Sequence, residues 1–201
     1  MKAILKYLLL SLIFAGCSSD KQEESVVLNG EITNAEQSIL ILKNNFWEPI
    51  DTLQIVDNKF IDTLKIPESY YYLSDGKREI RLYLKPGMNL NFNSNFENPI
   101  NSTVWKGNGE NENNYLISKA RLTDNIPVEK RAYSMYGLLE EKEFLLQTDS
   151  IYQQYLRHFE AHKDLNEHFA FLEENSIKIE KSIRLSQFEG IKRMLKKKTN
   201  F

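Results

Sequence analysis

The stretch that decides the fold is residues 50–66, IDTLQIVDNKFIDTLKI. Apolar and polar side chains nearly alternate on both sides of Asp57-Asn58, and this is the period of a β-strand with one buried face. Aspartate and asparagine tolerate the positive φ of tight hairpin turns. The stretch therefore predicts two antiparallel strands joined by a short turn at Asp57-Asn58.

The same period of about two continues outward from this hairpin, from Val26 to about Lys106. Pro86-Gly87 separates two later runs, and glycine accepts the positive φ that a type II turn requires. Short strands at regular spacing, with no helix between them, are typical of an antiparallel sandwich or barrel-like sheet. The predicted strands are 26–33, 38–43, 50–56, 59–66, 70–74, 79–84, 88–93 and 103–106.

After Asn108 the period changes, and apolar residues recur at helical spacing to the end of the chain. Pro127 suits the first turn of a helix, and Asp149-Ser150 and Asp164 are predicted breaks between helices. The apolar stripes predict that the helices pack on each other and on the sheet as one cooperative unit. The stripes contain Met135, Leu139, Phe144, Leu145, Leu146, Ile151, Tyr155, Phe159, Phe169, Leu172, Ile179, Ile183, Phe188, Ile191 and Leu195.

The chain opens with a short apolar run that stops at its only cysteine, Cys17. Lys2 and Lys6 precede the run, and Ala15-Gly16 come directly before the cysteine. The run is too short to span a bilayer but has the length of a signal-peptide core. The order resembles the lipobox of bacterial lipoproteins, in which this cysteine takes a diacylglycerol thioether and becomes the new N-terminus. The alternative is an ordinary signal peptide with a chance cysteine.

The lipobox interpretation predicts a signal peptide at 1–16 and a polar tether at 17–25, with Cys17 as the lipidation site. It places the protein in the cell envelope, anchored by lipid to the outer or inner membrane and exposed to the periplasm or the cell surface. The folded part is then an antiparallel β-domain at 26–107 and a helical segment at 108–201. The predicted fold class is α+β.

The composition limits the kinds of function that the chain can have. Of the 201 residues, 27% are charged and 41% are hydrophobic, which describes a globular body. The formal net charge of -2 becomes -4 when Lys2 and Lys6 are removed (-2 minus 2), so no basic footprint for nucleic acid is expected. A single cysteine excludes disulfides and cysteine-based zinc sites within the chain. No cofactor is predicted.

No motif in the sequence predicts a catalytic site. His158 and His162 lie one helical turn apart, but the pattern is not the HExxH of zinc proteases, and His168 follows six residues later on a different face. Two exposed histidines are the favoured interpretation, and a metal site is the alternative. The predicted partners are membrane lipid, through Cys17, and an unidentified envelope protein or small ligand.

Taken together, the mature chain is similar to the N-terminal half of TlpA-like (thioredoxin-like) disulfide reductases, a family of Gram-negative lipoproteins. The residues that carry the resemblance are Leu28-Asn29-Gly30-Glu31-Ile32, Ile50-Asp51-Thr52-Leu53, Asn58-Lys59-Phe60, Leu82-Tyr83-Leu84-Lys85-Pro86-Gly87, Gly107 and Asn113-Asn114-Tyr115-Leu116. Residues 171–176, FLEENS, lie where the family usually has an Asn-Pro-x-Ser helix break, and here the proline is missing.

The resemblance implies a thioredoxin fold after this region, with a Cys-x-x-Cys that performs the redox chemistry. The chain has no Cys-x-x-Cys and ends at Phe201, so reductase activity is not carried over. We therefore expect a membrane-anchored, non-catalytic binding or scaffolding domain. The alternative is the docking or sensor half of a thioredoxin-like reductase whose catalytic half is separate or lost.

Overall fold

A computed structural model describes residues 25–124, 126 and 139–198. The predicted signal peptide, Cys17 and the tether up to residue 24 lie outside these ranges, as do Pro127 and Met135. The strands are β1 (Val26–Thr33), β2 (Ile39–Lys43), β3 (Pro49–Gln54), β4 (Lys59–Leu64), β5 (Ser69–Ser74), β6 (Glu79–Leu84), β7 (Asn89–Asn95) and β8 (Val104–Asn108). The helices in these ranges are α1 (Pro99–Ser102), α2 (Glu110–Asp124), α3 (Glu141–Ala161) and α4 (Glu167–Lys198).

The strands form two four-stranded sheets, in the orders β4-β1-β7-β8 and β3-β2-β5-β6. The α+β fold class is therefore confirmed. One pair, β1 with β7, is parallel, whereas the sequence predicted antiparallel pairing throughout. The chain reverses direction at every turn, so all odd-numbered strands point the same way. A sheet that places two odd strands side by side must pair them in parallel.

The turn predicted at Asp57-Asn58 is confirmed, since both residues have positive φ. The predicted pairing of the two strands that it joins is wrong, because β3 and β4 lie in different sheets. The chain crosses from one sheet to the other at this turn, next to an isolated bridge between Val56 and Lys59.

The core lies between the two sheets and is rich in aromatic side chains. In β1 every second residue is buried, as the alternation predicted. Phe92 stacks on Trp105 at 4.7 Å between ring centroids, and Phe60 meets the Phe92 ring edge-on at 5.5 Å. Trp105 and Phe92 are both almost fully buried. Aromatic side chains bury large areas each, so these three rings, from β4, β7 and β8, supply much of the apolar surface that the first sheet adds to the core.

Helix α2 closes one open side of the sandwich, where β6 and β8 are the outer strands of the two sheets. The side-chain amide of Asn113 accepts from the backbone N–H of Tyr83 at 2.8 Å and donates to its carbonyl at 2.9 Å. Asn114 makes the same two bonds to Trp105, both at 3.0 Å. An uncovered strand edge invites pairing with other chains. The two asparagines satisfy edge groups that would otherwise remain available.

One predicted helix break is wrong and the other is confirmed. Asp149 and Ser150 lie inside α3, because contacts with α4 keep the helix continuous there. Thr148 and Ile151 are buried, and Lys181 of α4 donates to Asp149 at 2.8 Å. Tertiary packing thus overrides the weak helix preference of Asp and Ser. The break near Asp164 is confirmed, since α3 ends at Ala161 and α4 begins at Glu167.

The helices pack on the sandwich, but not every residue of the predicted stripes is covered. Phe169 at the start of α4 is fully buried in the sandwich core. Phe144 is also buried, whereas its neighbours Leu145 and Leu146 are 45% and 64% exposed. The expectation that all three would be covered is wrong for the last two. Consecutive residues of a helix point about 100° apart, so one contact surface cannot cover them all.

Candidate functional site

A pocket of about 480 Å³ lies between α2 and the turn that joins α3 to α4. Tyr115, Ser118 and Arg121 of α2 line one wall, and His162 and Asp164 of the turn line the other. A concave site with convergent polar groups is the usual starting point for a ligand-site hypothesis. The bonds that these groups already make decide which of them are available to a ligand.

The structure brings two of the three histidines together, and one of them, His162, lines this pocket. The rings of His158 and His162 are 4.4 Å apart between centroids, and His162 Nδ1–H donates to the His158 carbonyl at 2.8 Å. His168 lies apart from this pair, with its Nδ1 2.7 Å from a carboxylate oxygen of Glu68. Within the described residues, His, Cys, Asp and Glu form no group of three that could hold a metal ion.

Ser118 and His158 have the spacing of a nucleophile and its base, with Oγ 2.9 Å from Nε2. Burial, and then the neighbouring His162, lowers the pKa of His158, so the imidazole is neutral at pH 7. The Ser118 hydroxyl, however, donates to the Tyr115 carbonyl at 2.9 Å within its own helix. His158 must then donate to Ser118 from Nε2, and a nitrogen that carries the proton cannot act as a base. The pair joins α2 to α3 in this arrangement.

A buried charge cluster lies deeper in the same helical layer and consists of Glu173, Lys119, Tyr70, Tyr115 and Glu180. Glu173 of α4 has no exposed surface. It accepts from Lys119 Nζ at 2.6 Å, from the Tyr70 hydroxyl at 3.0 Å and from the Tyr115 hydroxyl at 3.3 Å. Lys119 also pairs with Glu180 at 3.1 Å. These three donors come from outside α4, since Lys119 and Tyr115 lie in α2 and Tyr70 lies in β5.

The electrostatics of the buried charge cluster keep its tyrosines protonated. Burial, together with the Glu173 carboxylate, raises the pKa values of both Tyr70 and Tyr115 well above the ordinary value for tyrosine. Both hydroxyls therefore remain donors to Glu173 at any physiological pH. Arg81 of β6 stacks over the Tyr70 ring at 4.0 Å and lies 3.8 Å from Glu180. The cluster attaches α2 and α4 to the second sheet.

Sequence reasoning missed the buried charge cluster because its members lie far apart in the chain. Glu173 is 54 residues from Lys119 and 103 residues from Tyr70. One local signal was present: Glu173 lies between Phe169 and Ile177 at spacings of four, on the apolar face of α4. A charge in the middle of an apolar helical stripe predicts a buried partner, since an unpaired buried charge is costly.

The sequence-predicted lipidation site, Cys17, lies outside the described residues. None of the helices that the structure describes is long and apolar enough to cross a membrane. A family model described as "Domain of unknown function (DUF4369)" matches residues 26–114. The match spans all eight strands and ends at Asn114, one of the two asparagines that close the sandwich. No curated protein matches the chain.

Proposed function

We propose that this protein is a cell-envelope lipoprotein, anchored through Cys17, whose folded part is a non-catalytic binding or scaffolding module. The lipobox-like order around Ala15-Gly16-Cys17 supports the anchor. The buried ionisable groups support the non-catalytic role, because they bond to one another and hold helices and strands together. Glu173 joins α4 to Lys119 of α2 and to Tyr70 of the second sheet, and Ser118 with His158 joins α2 to α3.

The observation that carries the binding role is the exposed apolar surface on α3. Leu145 and Leu146 are 45% and 64% exposed, while the adjacent Phe144 stacks on Phe188 of α4 at 4.1 Å. Charged side chains of Glu141 and Lys142 border the two leucines. Exposed apolar surface with a polar rim is characteristic of protein–protein contact sites. We assign this surface to an envelope protein partner.

A photo-crosslinking residue placed at Leu146 in the full chain, expressed in cells, tests both halves of the proposal. We expect the protein in the membrane fraction, with a diacylglyceryl adduct at Cys17 by intact mass, and one discrete crosslinked species. Thr52, an exposed polar position on β3 in the sandwich, is the control and should give none. Equal crosslinking from both positions, or none from Leu146, contradicts the binding surface. An unmodified Cys17 contradicts the anchor.

The resemblance to TlpA-like reductases supports a second, related hypothesis about the origin of the chain. The residues that carry it form parts of one sandwich, including most of β1, parts of β3 and β4 with the turn that joins them, and the start of α2. We propose that the chain shares its ancestry with the N-terminal part of those proteins and has no reductase chemistry of its own. Thiol–disulfide exchange needs an attacking thiolate and a resolving thiol, and the chain contains one cysteine.

A further inference from the structure

One end of the sandwich, the anchor end, is defined by where the chain enters it from the tether. The carbonyl of Ser25 accepts from the N–H of Gly87 at 2.9 Å, in the turn between β6 and β7. Asn108, the last residue of β8, donates from its side chain to the Gly87 carbonyl at 3.1 Å. Val26 pairs with Leu64 at the end of β4. Val26, the first residue after the predicted tether, is therefore held at this end by β4 and β7, the strands on either side of β1.

Two exposed aromatic residues lie in a turn at the same end. The turn between β2 and β3, residues 44–48, carries Phe46 and Trp47. Asn45 in this turn donates to the Ser69 hydroxyl at 3.3 Å. Ser69 opens β5 and pairs with Leu84 of β6, three residues before Gly87. Since the strands of the two sheets run up and down between the same two ends, the turn and Ser25 lie at one end of the sandwich.

This turn has a backbone conformation that costs energy. Trp47 has a φ of 66°, in the left-handed region that bulky residues rarely adopt. The Asn44 side chain maintains the turn, since its oxygen accepts from the N–H groups of Phe46 and Glu48 at 2.8 and 3.1 Å. The indole stacks on Tyr72 at 4.4 Å, yet Trp47 stays 53% exposed and Phe46 82% exposed. Such strain persists where the surrounding structure enforces it, and it concentrates at functional sites.

We propose that the anchor end faces the bilayer and that Phe46 and Trp47 enter the headgroup region when the Cys17 lipid is inserted. This rests on the lipid anchor of the proposed function. Eight residues separate Cys17 from Val26, and an extended chain spans at most about 3.5 Å per residue, so this end stays within roughly 30 Å of the membrane surface. Aromatic rings, tryptophan above all, favour the membrane–water interface.

The charges at this end point to aromatic insertion, not to electrostatic attraction, as the source of the contact. Lys65 and Lys85 lie near the tether and Lys43 lies 5.8 Å from the Trp47 ring, but Glu48 is in the aromatic turn itself and Glu68 is beside β5. Anionic lipid recognition requires a dense cluster of basic residues, and here acidic residues lie among the three lysines. The lipid surface expected is therefore one that need not be anionic, and vesicles of phosphatidylethanolamine and phosphatidylcholine are suitable probes.

The two tryptophans make the test specific, because Trp105 is buried at 1% exposure and reports no surface contact. The lipidated full-length protein is reconstituted into vesicles that contain lipids with brominated acyl chains, which quench nearby indoles. We expect loss of emission from the wild type and no loss from Trp47→Phe, whose remaining indole is Trp105. The matched control is Val56→Trp in the Trp47→Phe background. Val56 is 68% exposed in the β3–β4 turn at the opposite end, so an indole there should not be quenched.

The outcomes separate this inference from the lipid anchor. Vesicle-bound protein with a diacylglyceryl adduct, but with no quenching of Trp47 or with equal quenching at position 56, overturns the orientation and leaves the anchor intact. An unmodified Cys17 in protein that does not sediment with vesicles overturns both. Crosslinking of position 46 to a protein in cells, with Trp47 unquenched in vesicles, would assign the aromatic turn to a protein partner and overturn the bilayer contact.

Discussion

At the scale of single residues, Glu173 shows how this molecule joins its helices to its sheets. A carboxylate without exposed surface has three donors, from Lys119, Tyr70 and Tyr115. Taking two charges out of water is expensive, and their attraction offsets that cost only when the geometry is good and other hydrogen bonds complete it. Removing one partner leaves the other charge buried and unpaired. The cluster should therefore respond strongly to loss of either charge.

Lys119→Met should lower the free energy of unfolding by roughly 3–5 kcal/mol, since it leaves Glu173 without a counter-charge. Urea denaturation followed by circular dichroism measures the change. The matched control is Lys178→Met. Lys178 pairs with Glu174 at 2.6 Å on the exposed side of α4, the helix that also carries Glu173. Its effect should be small because water screens exposed pairs.

The double replacement Lys119→Met with Glu173→Leu sharpens this prediction. Apolar residues of similar volume often replace a buried ion pair without loss of stability, so the double variant should be more stable than Lys119→Met alone. Equal losses for Lys119→Met and Lys178→Met would show that the buried charge cluster does not hold the helices to the sheet.

At the scale of elements, β1 depends on close approach to β7, and α4 does not depend on its glycine. A Cβ on Gly30 would overlap the carbonyl oxygen of Phe92 and lie 2.9 Å from its carbonyl carbon. Both atoms belong to the backbone of β7, the parallel partner of β1. A Cβ on Gly190 in α4 meets nothing within 4 Å. The two glycines therefore predict opposite responses to the same substitution.

Gly30→Ala should destabilise the protein by about 1–3 kcal/mol, the usual cost of overpacking, because the β1 and β7 backbones must separate. Gly190→Ala should stabilise α4 by about 0.5–1 kcal/mol, since alanine loses less backbone entropy in a helix. Thermal melts of both variants beside the wild type check the signs. A neutral Gly30→Ala, or a destabilising Gly190→Ala, would contradict the packing described for that element.

At the scale of the whole molecule, α4 connects two apolar clusters of unequal size. Its first turns join the large sandwich core through Phe169. Its later turns form a small cluster in which Phe188 packs with Leu139 and Phe144. The 32 residues of α4 span about 48 Å, against roughly 26 Å for the eight residues of β1. The helix therefore extends beyond the sandwich, and among the described residues its far half packs on α3 and on Leu139 just before it.

Hydrogen exchange should divide α4 accordingly. Amides near Ile177 should be protected as well as strand amides near Leu82, because both open only when the sandwich core unfolds. Amides near Phe188 should exchange faster, through local opening of the small cluster. Mass spectrometry of peptides from the exchanging full-length protein measures the two regions in one sample. Uniform protection along α4 would instead support the single cooperative unit that the apolar stripes predicted.

The sequence by itself determined the strands, because alternation such as that in β1 depends only on neighbouring residues and the turns between them. It also determined the α+β order and the candidate anchor at Cys17. Only the tertiary structure decided which strands are neighbours, and hence the parallel β1–β7 pair. It alone brought Glu173 to Tyr70. The physical reason is that a local pattern specifies which face of an element is buried, but not the distant surface that covers it.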